Sequence, residues 1–207
     1  NYDVNKQTEF FVNDINWKSN KWLTGDFVTS QFKGKLKTVN YNAKNTPEYK
    51  TDDVSSELSG VFGYFAKLDL YKNNFIKGNN HFLTPKLLFR YAPGSMRNIE
   101  KKKYLKYSNL FQINKIDEID VIESGLNASL GIEYKKNKLK KNGTPGKEVF
   151  SFALGQSFSD EENEDMPSSS SLDQRFSDVV GESKFYIGNK GTFSYNFSVD
   201  QNYKDLN

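Results

Sequence analysis

The chain has 207 residues, of which 36% are hydrophobic and 15% aromatic, and it carries a formal net charge of +3. Its apolar residues are dispersed, and no apolar stretch approaches the roughly 18 residues that a transmembrane helix requires. The lysines are spread along the sequence, which argues against a nucleic-acid-binding face, and the lack of cysteine leaves the redox compartment open.

Hydrophobic residues recur with a period of two, which indicates β-strands and no helices. Turn residues punctuate this pattern and predict an all-β fold of about eight strands. In chain order the predicted strands lie near residues 9–17, 27–41, 56–71, 82–91, 121–135, 148–158, 178–187 and 192–200.

The predicted strand 121–135 alternates without a break between an apolar and a polar set of residues. It is longer than the roughly 9–11 residues that a tilted strand needs to cross a bilayer. Water-soluble sandwiches seldom alternate over such a length with glycine and charge on one face. The pattern therefore predicts a membrane-spanning barrel strand, with Leu126 and Leu130 facing lipid and Glu123 and Glu133 facing the lumen.

The same alternation assigns residues of the other strands to two faces. The residues predicted to face lipid are Leu126, Leu130, Ile132, Phe193, Tyr195 and Phe197. The polar residues predicted to face the lumen are Lys33, Lys35, Lys37, Lys67, Lys86, Arg90, Glu123 and Glu133.

Long and short links between the predicted strands alternate. Short or moderate links fall near residues 18–24, 72–81, 137–147 and 188–191, and longer ones near 42–55, 92–120 and 159–177. Outer-membrane barrels have short turns at one end and longer loops at the other. We therefore expect residues 1–207 to form an antiparallel up-and-down meander that is a fragment of one transmembrane outer-membrane β-barrel domain, with a mobile acidic and serine-rich segment at 160–171.

Five short motifs follow one another along the predicted strands and loops. They are Leu83–Lys86 leading into Arg90–Gly94, Ser108–Lys115, Asp120–Gly125, Gly155–Phe158 and Arg175–Glu182. Their order and spacing resemble the barrel domain of the LptD (OstA) family of lipopolysaccharide-assembly outer-membrane proteins, most closely from about Leu83 to Gly181. The residues that carry the resemblance are Pro85, Tyr91, Pro93, Asn109, Phe111, Asn114, Asp120, Glu123, Gly125, Gly155, Gln156, Ser177, Asp178 and Gly181.

The resemblance implies an export machine in the outer membrane, with neither catalysis nor a cofactor. Members of the family deliver lipopolysaccharide to the outer leaflet through a laterally opening seam. The partners implied are lipopolysaccharide, a plug lipoprotein (LptE-like) in the lumen, outer-membrane lipid, and a periplasmic bridge protein (LptA-like). The bridge docks on a jellyroll domain that this chain lacks, and we expect no nucleic acid.

We expect the chain to be an internal fragment, because it starts at Asn1 without a signal peptide and stops at Leu206 and Asn207 after a strand. The family's gate lies between its first and last strands, so no gate residue is assigned. Some members also have disulfide bonds, which this cysteine-free chain cannot form.

Several features have a functional and a structural interpretation. The lumen-facing cations could bind substrate phosphates or the plug, or they could hydrate the lumen and pair with Glu57, Asp69, Glu123 and Glu133. Lys101–Lys103 could touch anionic head groups or be a solvated charge run. Segment 108–115 is expected to fold back and bury Leu110, Phe111 and Ile113 at the barrel mouth, as a structural cap rather than a ligand contact.

The acidic run 160–165 lacks the glycine and ligand spacing of a calcium loop, and Asp173, Asp178 and Glu182 are explained first by packing and register. Pro85 is expected to mark a strand edge or a bulge. His81 is the only histidine and no nucleophile motif is present, so no enzyme is predicted. Two other functions stay open, a passive porin-like channel and a soluble β-sandwich binding module.

Overall fold

The computed structural model describes residues 7–45, 55–74, 77–99 and 102–201 as one antiparallel β-sheet. Its strands are β1 (Gln7–Lys18), β2 (Trp22–Thr24), β3 (Val28–Lys44), β4 (Ser55–Leu68), β5 (Leu70–Asn74), β6 (Asn79–Ala92), β7 (Gly125–Leu139), β8 (Pro145–Ser159), β9 (Val179–Ile187) and β10 (Gly191–Val199). A 3-10 turn spans Ser169–Ser171. The predicted all-β fold is confirmed.

The long strands are arranged as the predicted meander. Their order across the sheet is β1-β3-β4-β6-β7-β8-β9-β10, so each long strand pairs with its neighbours along the chain. The short strands β2 and β5 pair with β3 and β6. Within the described residues the sheet is open, and β1 and β10 are its edges.

Short and long connections are segregated as the link lengths predict. One end of the sheet, the turn end, carries the connections β1–β3, β5–β6, β7–β8 and β9–β10. The other end, the loop end, carries the first long loop (93–124, between β6 and β7) and the second long loop (160–178, between β8 and β9). Most of the link predicted at 42–55 lies outside the described residues, as does the predicted terminus at Leu206 and Asn207.

One predicted short link contains a strand that the sequence analysis missed. Within residues 18–24, β2 folds back onto β3, and the ring centroid of Trp22 lies 5.0 Å from that of Phe32 and 6.4 Å from that of Tyr64. Aromatic pairs at such distances stabilise beyond their buried area.

The third predicted strand is divided, and Pro85 lies opposite the division. β4 ends at Leu68 and β5 begins at Leu70, while their shared partner β6 continues from Asn79 to Ala92. Pro85 pairs with Ile132 of β7, whereas on its other side the ladder with β4 stops at the pair of Lys67 and Lys86. A proline has no N–H to donate to a ladder, so Pro85 marks an interruption inside the sheet rather than an edge or a bulge.

The prediction that a strand begins at Val121 is wrong. β7 begins at Gly125, whose φ of +89° suits glycine, and it runs on to Leu139. Val121 and Ile122 belong to the first long loop and are 8% and 4% exposed. The alternation of residues 121–124 thus continues that of β7 without being part of its ladder.

Candidate functional site

The two faces of the sheet differ in polarity and in how much of each face the long loops overlie. On one face, here called the apolar face, large side chains point away from the rest of the chain. Leu130, Phe193 and Tyr195 on this face are 48%, 59% and 53% exposed. All six residues predicted to face lipid lie on it, namely Leu126, Leu130, Ile132, Phe193, Tyr195 and Phe197.

The opposite face, here called the covered face, carries the charged side chains of the strands and is partly overlaid by the long loops. Lys35 and Lys37 of β3 both pair with Asp14 of β1, at 2.8 and 3.0 Å. Asp14 was missed by the sequence analysis, although it lies on a predicted strand. Only the register, which places it opposite Lys37, shows the contact.

Three more predicted cations have carboxylate partners, and these partners are the predicted ones. Lys67 pairs with Asp69, and Lys86 pairs with Glu133, which also accepts from Lys135 at 2.6 Å. Arg90 lies 3.6 Å from Glu123. These contacts agree with the structural interpretation of the cations, in which they pair with carboxylates of the same chain.

Lys33 differs from the other predicted cations, because none of the ion pairs in the described part of the chain includes it. Its Nζ donates to the backbone oxygen of Phe111 at 3.3 Å and lies 4.4 Å from the ring centroid of Phe65. Lys33 therefore links β3 to the first long loop.

The first long loop packs on two facing glycines of the covered face. Gly131 and Gly155 are paired in the register of β7 and β8. A Cβ at Gly155 would collide with the Leu110 side chain, and one at Gly131 would lie 2.9 Å from Phe111. Leu110 is fully buried, so the predicted folding back of segment 108–115 is confirmed, with the sheet surface itself as the contact.

A buried ionic network joins this loop to the sheet. The carboxylate of Glu123 lies 3.3 Å from Nζ of Lys115 and accepts from the Lys115 backbone N–H at 2.8 Å. Arg90 of β6 donates to the backbone oxygen of Glu123. Arg90, Lys115 and Glu123 are all at most 3% exposed. Three ionisable groups are therefore removed from water together.

Mutual charge and burial set the ionisation of the two loop members. Burial lowers the pKa of the Lys115 ammonium to about 8, which leaves it protonated at neutral pH. Burial opposes ionisation of Glu123, but the charges of Lys115 and Arg90 outweigh it and hold the pKa of the carboxyl below its ordinary value. Glu123 is thus an anion between two cations.

The network continues through neutral side chains that the sequence analysis missed. Nζ of Lys115 donates to Oδ1 of Asn127 at 2.8 Å, and the Ser157 hydroxyl donates to the same oxygen at 2.9 Å. Ser157 also donates its backbone N–H to the Ser177 hydroxyl at 3.0 Å. Lys115 lies in the motif Ser108–Lys115, but its hydrogen-bond partners can be identified only from the folded position of the loop on the sheet.

The motif residues of the first long loop stabilise its shape. Asn114 donates to the backbone oxygen of Val121 and accepts from the Glu123 N–H, both at 3.1 Å. Asn109 accepts from the Lys106 N–H at 2.8 Å. Asp120 pairs with Arg97 at 3.3 Å.

The second long loop is hydrogen-bonded to the first, a contact that the prediction of a mobile acidic segment does not include. The Ser169 hydroxyl accepts from the Lys103 N–H and the Ser170 hydroxyl from the Leu105 N–H, at 3.0 and 3.1 Å. The Ile99 N–H donates to the backbone oxygen of Asp165 at 3.0 Å. Lys103 pairs with Glu118 at 2.9 Å, and Lys101 lies outside the described residues.

The remaining motif residues hold strand ends and loop junctions. Gln156 donates to the backbone oxygen of Ser177 at 2.7 Å, and Asp178 accepts from the hydroxyls of Ser171 and Ser198 at 2.7 and 3.1 Å. The Phe197 ring lies directly over Gly181. Tyr91, half exposed on the apolar face, and Pro93 stand where β6 passes into the first long loop.

The described residues contain neither a metal centre nor a membrane-spanning helix. In the described ranges no three histidine, aspartate or glutamate side chains converge to hold a metal ion. The same residues include no helix that is long and apolar enough to cross a membrane.

Comparison with known proteins identifies the family. The family model described as LPS transport system D (LptD) matches residues 16–207, which is most of the chain. No curated protein matches the sequence. The matched range includes nearly all of the sheet, both long loops and the buried network between Arg90, Lys115 and Glu123. The chain therefore belongs to the LPS transport system D (LptD) family.

Proposed function

We propose that this chain is a segment of the wall of an outer-membrane barrel that assembles lipopolysaccharide into the outer leaflet. The family supports a role in lipopolysaccharide transport. The apolar face would contact lipid, and the covered face would line the lumen.

The observation that carries the proposal is the apolar face. Large side chains are exposed on it along the whole meander, including Ile15, Leu36, Phe62, Phe89, Leu130 and Tyr195. A contiguous exposed apolar surface of this extent is unusual for a soluble monomer and typical of a surface that contacts lipid or protein. The alternation of this surface with buried charge on the same strands matches a barrel wall better than a sandwich, in which both inner faces are apolar.

The covered face suits a hydrated lumen because most of its cations lie beside carboxylates, although Asp14, Glu123 and Glu133 are each shared by two cations. Lys35, Lys37, Lys67, Lys86 and Arg90 each have such a partner. We infer that these residues make the lumen polar and do not form a fixed phosphate site.

We propose the protein partners from the resemblance to the LptD family. An LptE-like plug lipoprotein would meet the covered face and the loops within the lumen. An LptA-like bridge would deliver lipopolysaccharide through a jellyroll domain outside this chain.

Neighbouring residues of β10 offer a matched test in the intact protein. Tyr195 lies on the apolar face and Asn196 on the covered face, opposite Glu182. Tyr195→Arg should destabilise the folded barrel by roughly 2–4 kcal/mol if the position is near the bilayer midplane, whereas Asn196→Arg should cost far less. The measurement is the free energy of unfolding in lipid vesicles.

Equal tolerance of arginine at the two positions would reject the assignment of the faces.

Conductance separates the proposal from a porin-like channel, because a porin conducts steadily as purified. A plugged translocon should be nearly silent in the same bilayer recording. A soluble binding module would instead leave the intact protein monomeric without detergent.

A further inference from the structure

The two ends of the sheet have opposite charge. The turn end is defined here as residues 18–27, 70–80, 136–148 and 187–191. Its described residues include ten lysines and only two carboxylates, those of Asp26 and Glu148. The two long loops of the loop end include eleven carboxylates and six basic residues in their described part. The small net charge of the chain therefore hides a strong asymmetry.

Within the described part of the chain, the turn-end lysines have no carboxylate partner in an ion pair. No ion pair found among the described residues includes any of them, whereas three of the six basic residues of the loop end, Arg97, Lys103 and Lys115, are paired. The 11 residues of β7 that lie between the two ends, 125–135, separate them by about 37 Å at roughly 3.4 Å per residue. That distance is several times the Debye length of about 8 Å at physiological ionic strength, so the acidic loops do not compensate these lysines.

A band of aromatic rings lies next to the turn end on the apolar face. Tyr134, Phe150, Phe185 and Phe193 lie on the successive strands β7, β8, β9 and β10, with ring centroids 6.0, 4.8 and 6.4 Å apart. Trp22 with Phe32 and Tyr64 extends the band to the other side of the sheet. Such belts mark the level at which a membrane meets water.

We propose that the turn-end lysines bind the phosphate groups of anionic phospholipids in the leaflet at that end of the barrel. The inference rests on the proposed function, because it requires the apolar face to lie in a bilayer. Lysine stems reach along apolar surface while their ammonium groups stay at the head-group level. An anionic lipid surface attracts such lysines with about a fivefold gain in binding for each.

The distribution of the lysines favours lipid over a protein partner. They occur on all four turn-end connections and so extend across the whole width of the sheet. A protein docking site would gather them in one patch with apolar anchors, whereas a ring beyond an aromatic band follows the head groups of a leaflet.

The test uses the intact protein that contains this chain, reconstituted in phosphatidylcholine nanodiscs with spin-labelled phosphatidylglycerol or spin-labelled phosphatidylcholine. Electron paramagnetic resonance gives the relative association of the two labelled lipids with the protein. The variant is Lys140→Gln with Lys141→Gln, in the exposed β7–β8 turn, and the matched control is Lys102→Gln with Lys106→Gln at the loop end.

The unmodified protein should prefer phosphatidylglycerol, and this preference should weaken as salt is raised. The turn-end variant should lose at least about fivefold of the preference, while the control keeps it. A preference that is absent, or that falls equally in both variants, overturns the inference. So does a variant that loses binding of a periplasmic protein while its lipid preference is unchanged. Failure of the protein to enter the bilayer at all would instead overturn the proposed function.

Discussion

Replacing Glu123 with glutamine should release the first long loop from the covered face. The substituted amide would keep the size of the side chain and an oxygen to accept from the Lys115 N–H, which Glu123 holds at 2.8 Å. It would remove the only carboxylate that lies within 4 Å of Lys115 and Arg90 among the described ion pairs, at 3.3 and 3.6 Å. The two cations would then stay buried without a counter-charge.

The magnitude follows from the burial of the network. Arg90 and Glu123 are only 1% and 2% exposed, so water cannot replace the lost partner while the loop stays closed. Removal of one member of a buried ion pair costs about 3–5 kcal/mol. If closing the loop requires the network, this cost should appear as easier local opening, by a factor of about a hundred or more.

Hydrogen–deuterium exchange of the intact protein in lipid measures this opening. The amides of residues 93–124 should exchange about a hundredfold faster in Glu123→Gln. The control is Glu182→Gln, because Glu182 forms a partly exposed pair with Lys184, which is worth about 0–1 kcal/mol. Unchanged protection of residues 93–124 in Glu123→Gln, or equal changes in both variants, would refute the reasoning.

Two further predictions concern the same loop. Gly155→Ala places a Cβ against the Leu110 side chain and 2.7 Å from the Leu130 backbone oxygen, so it should destabilise the protein by about 1–3 kcal/mol and raise exchange of the loop amides. Gly191→Ala, where a Cβ meets no atom within 4 Å, should have little effect on either measurement. Because the pKa of Glu123 is lowered in the folded protein, its stabilisation is complete above its ordinary value of 4.5 and is lost as the pH falls through the lower folded value. Loop exchange corrected for intrinsic rates should therefore rise as the pH falls below 4.5 in the unmodified protein, and a Glu123→Gln variant should lack this rise.

The strands could be predicted from the sequence because alternation depends only on which residues are apolar. The predicted strand 148–158 lies within β8, and the predicted strand 192–200 differs from β10 by one residue at each end. The faces of Leu130 and Phe193 follow from the same period of two. Alternation is not sufficient at Ile122, however, because a loop residue can continue the pattern by chance.

The site could be predicted only in part, because its contacts depend on register and loop closure. The pairing of Lys86 with Glu133 could be predicted, since both lie on predicted strands and on one face. Asp14 was missed because only the register between β1 and β3 shows which residues of β3 lie beside it. The acidic loop was expected to be mobile because composition does not show that Ser169 and Ser170 bond to the first long loop.

The pairing of charges on the covered face has a consequence for transport. A lumen lined with isolated lysines would bind the phosphates of an anionic glycolipid strongly, and transport requires binding that is weak enough for release. In this chain, carboxylates on neighbouring strands or in the loop pair with Lys35, Lys37, Lys86 and Arg90 and offset part of their charge. Under the proposed function, these pairs would keep the face polar enough to be hydrated while weakening its hold on anions. The unpaired lysines of the described residues are concentrated instead at the turn end, where attraction to a lipid surface would hold the barrel at its depth in the membrane without slowing its cargo.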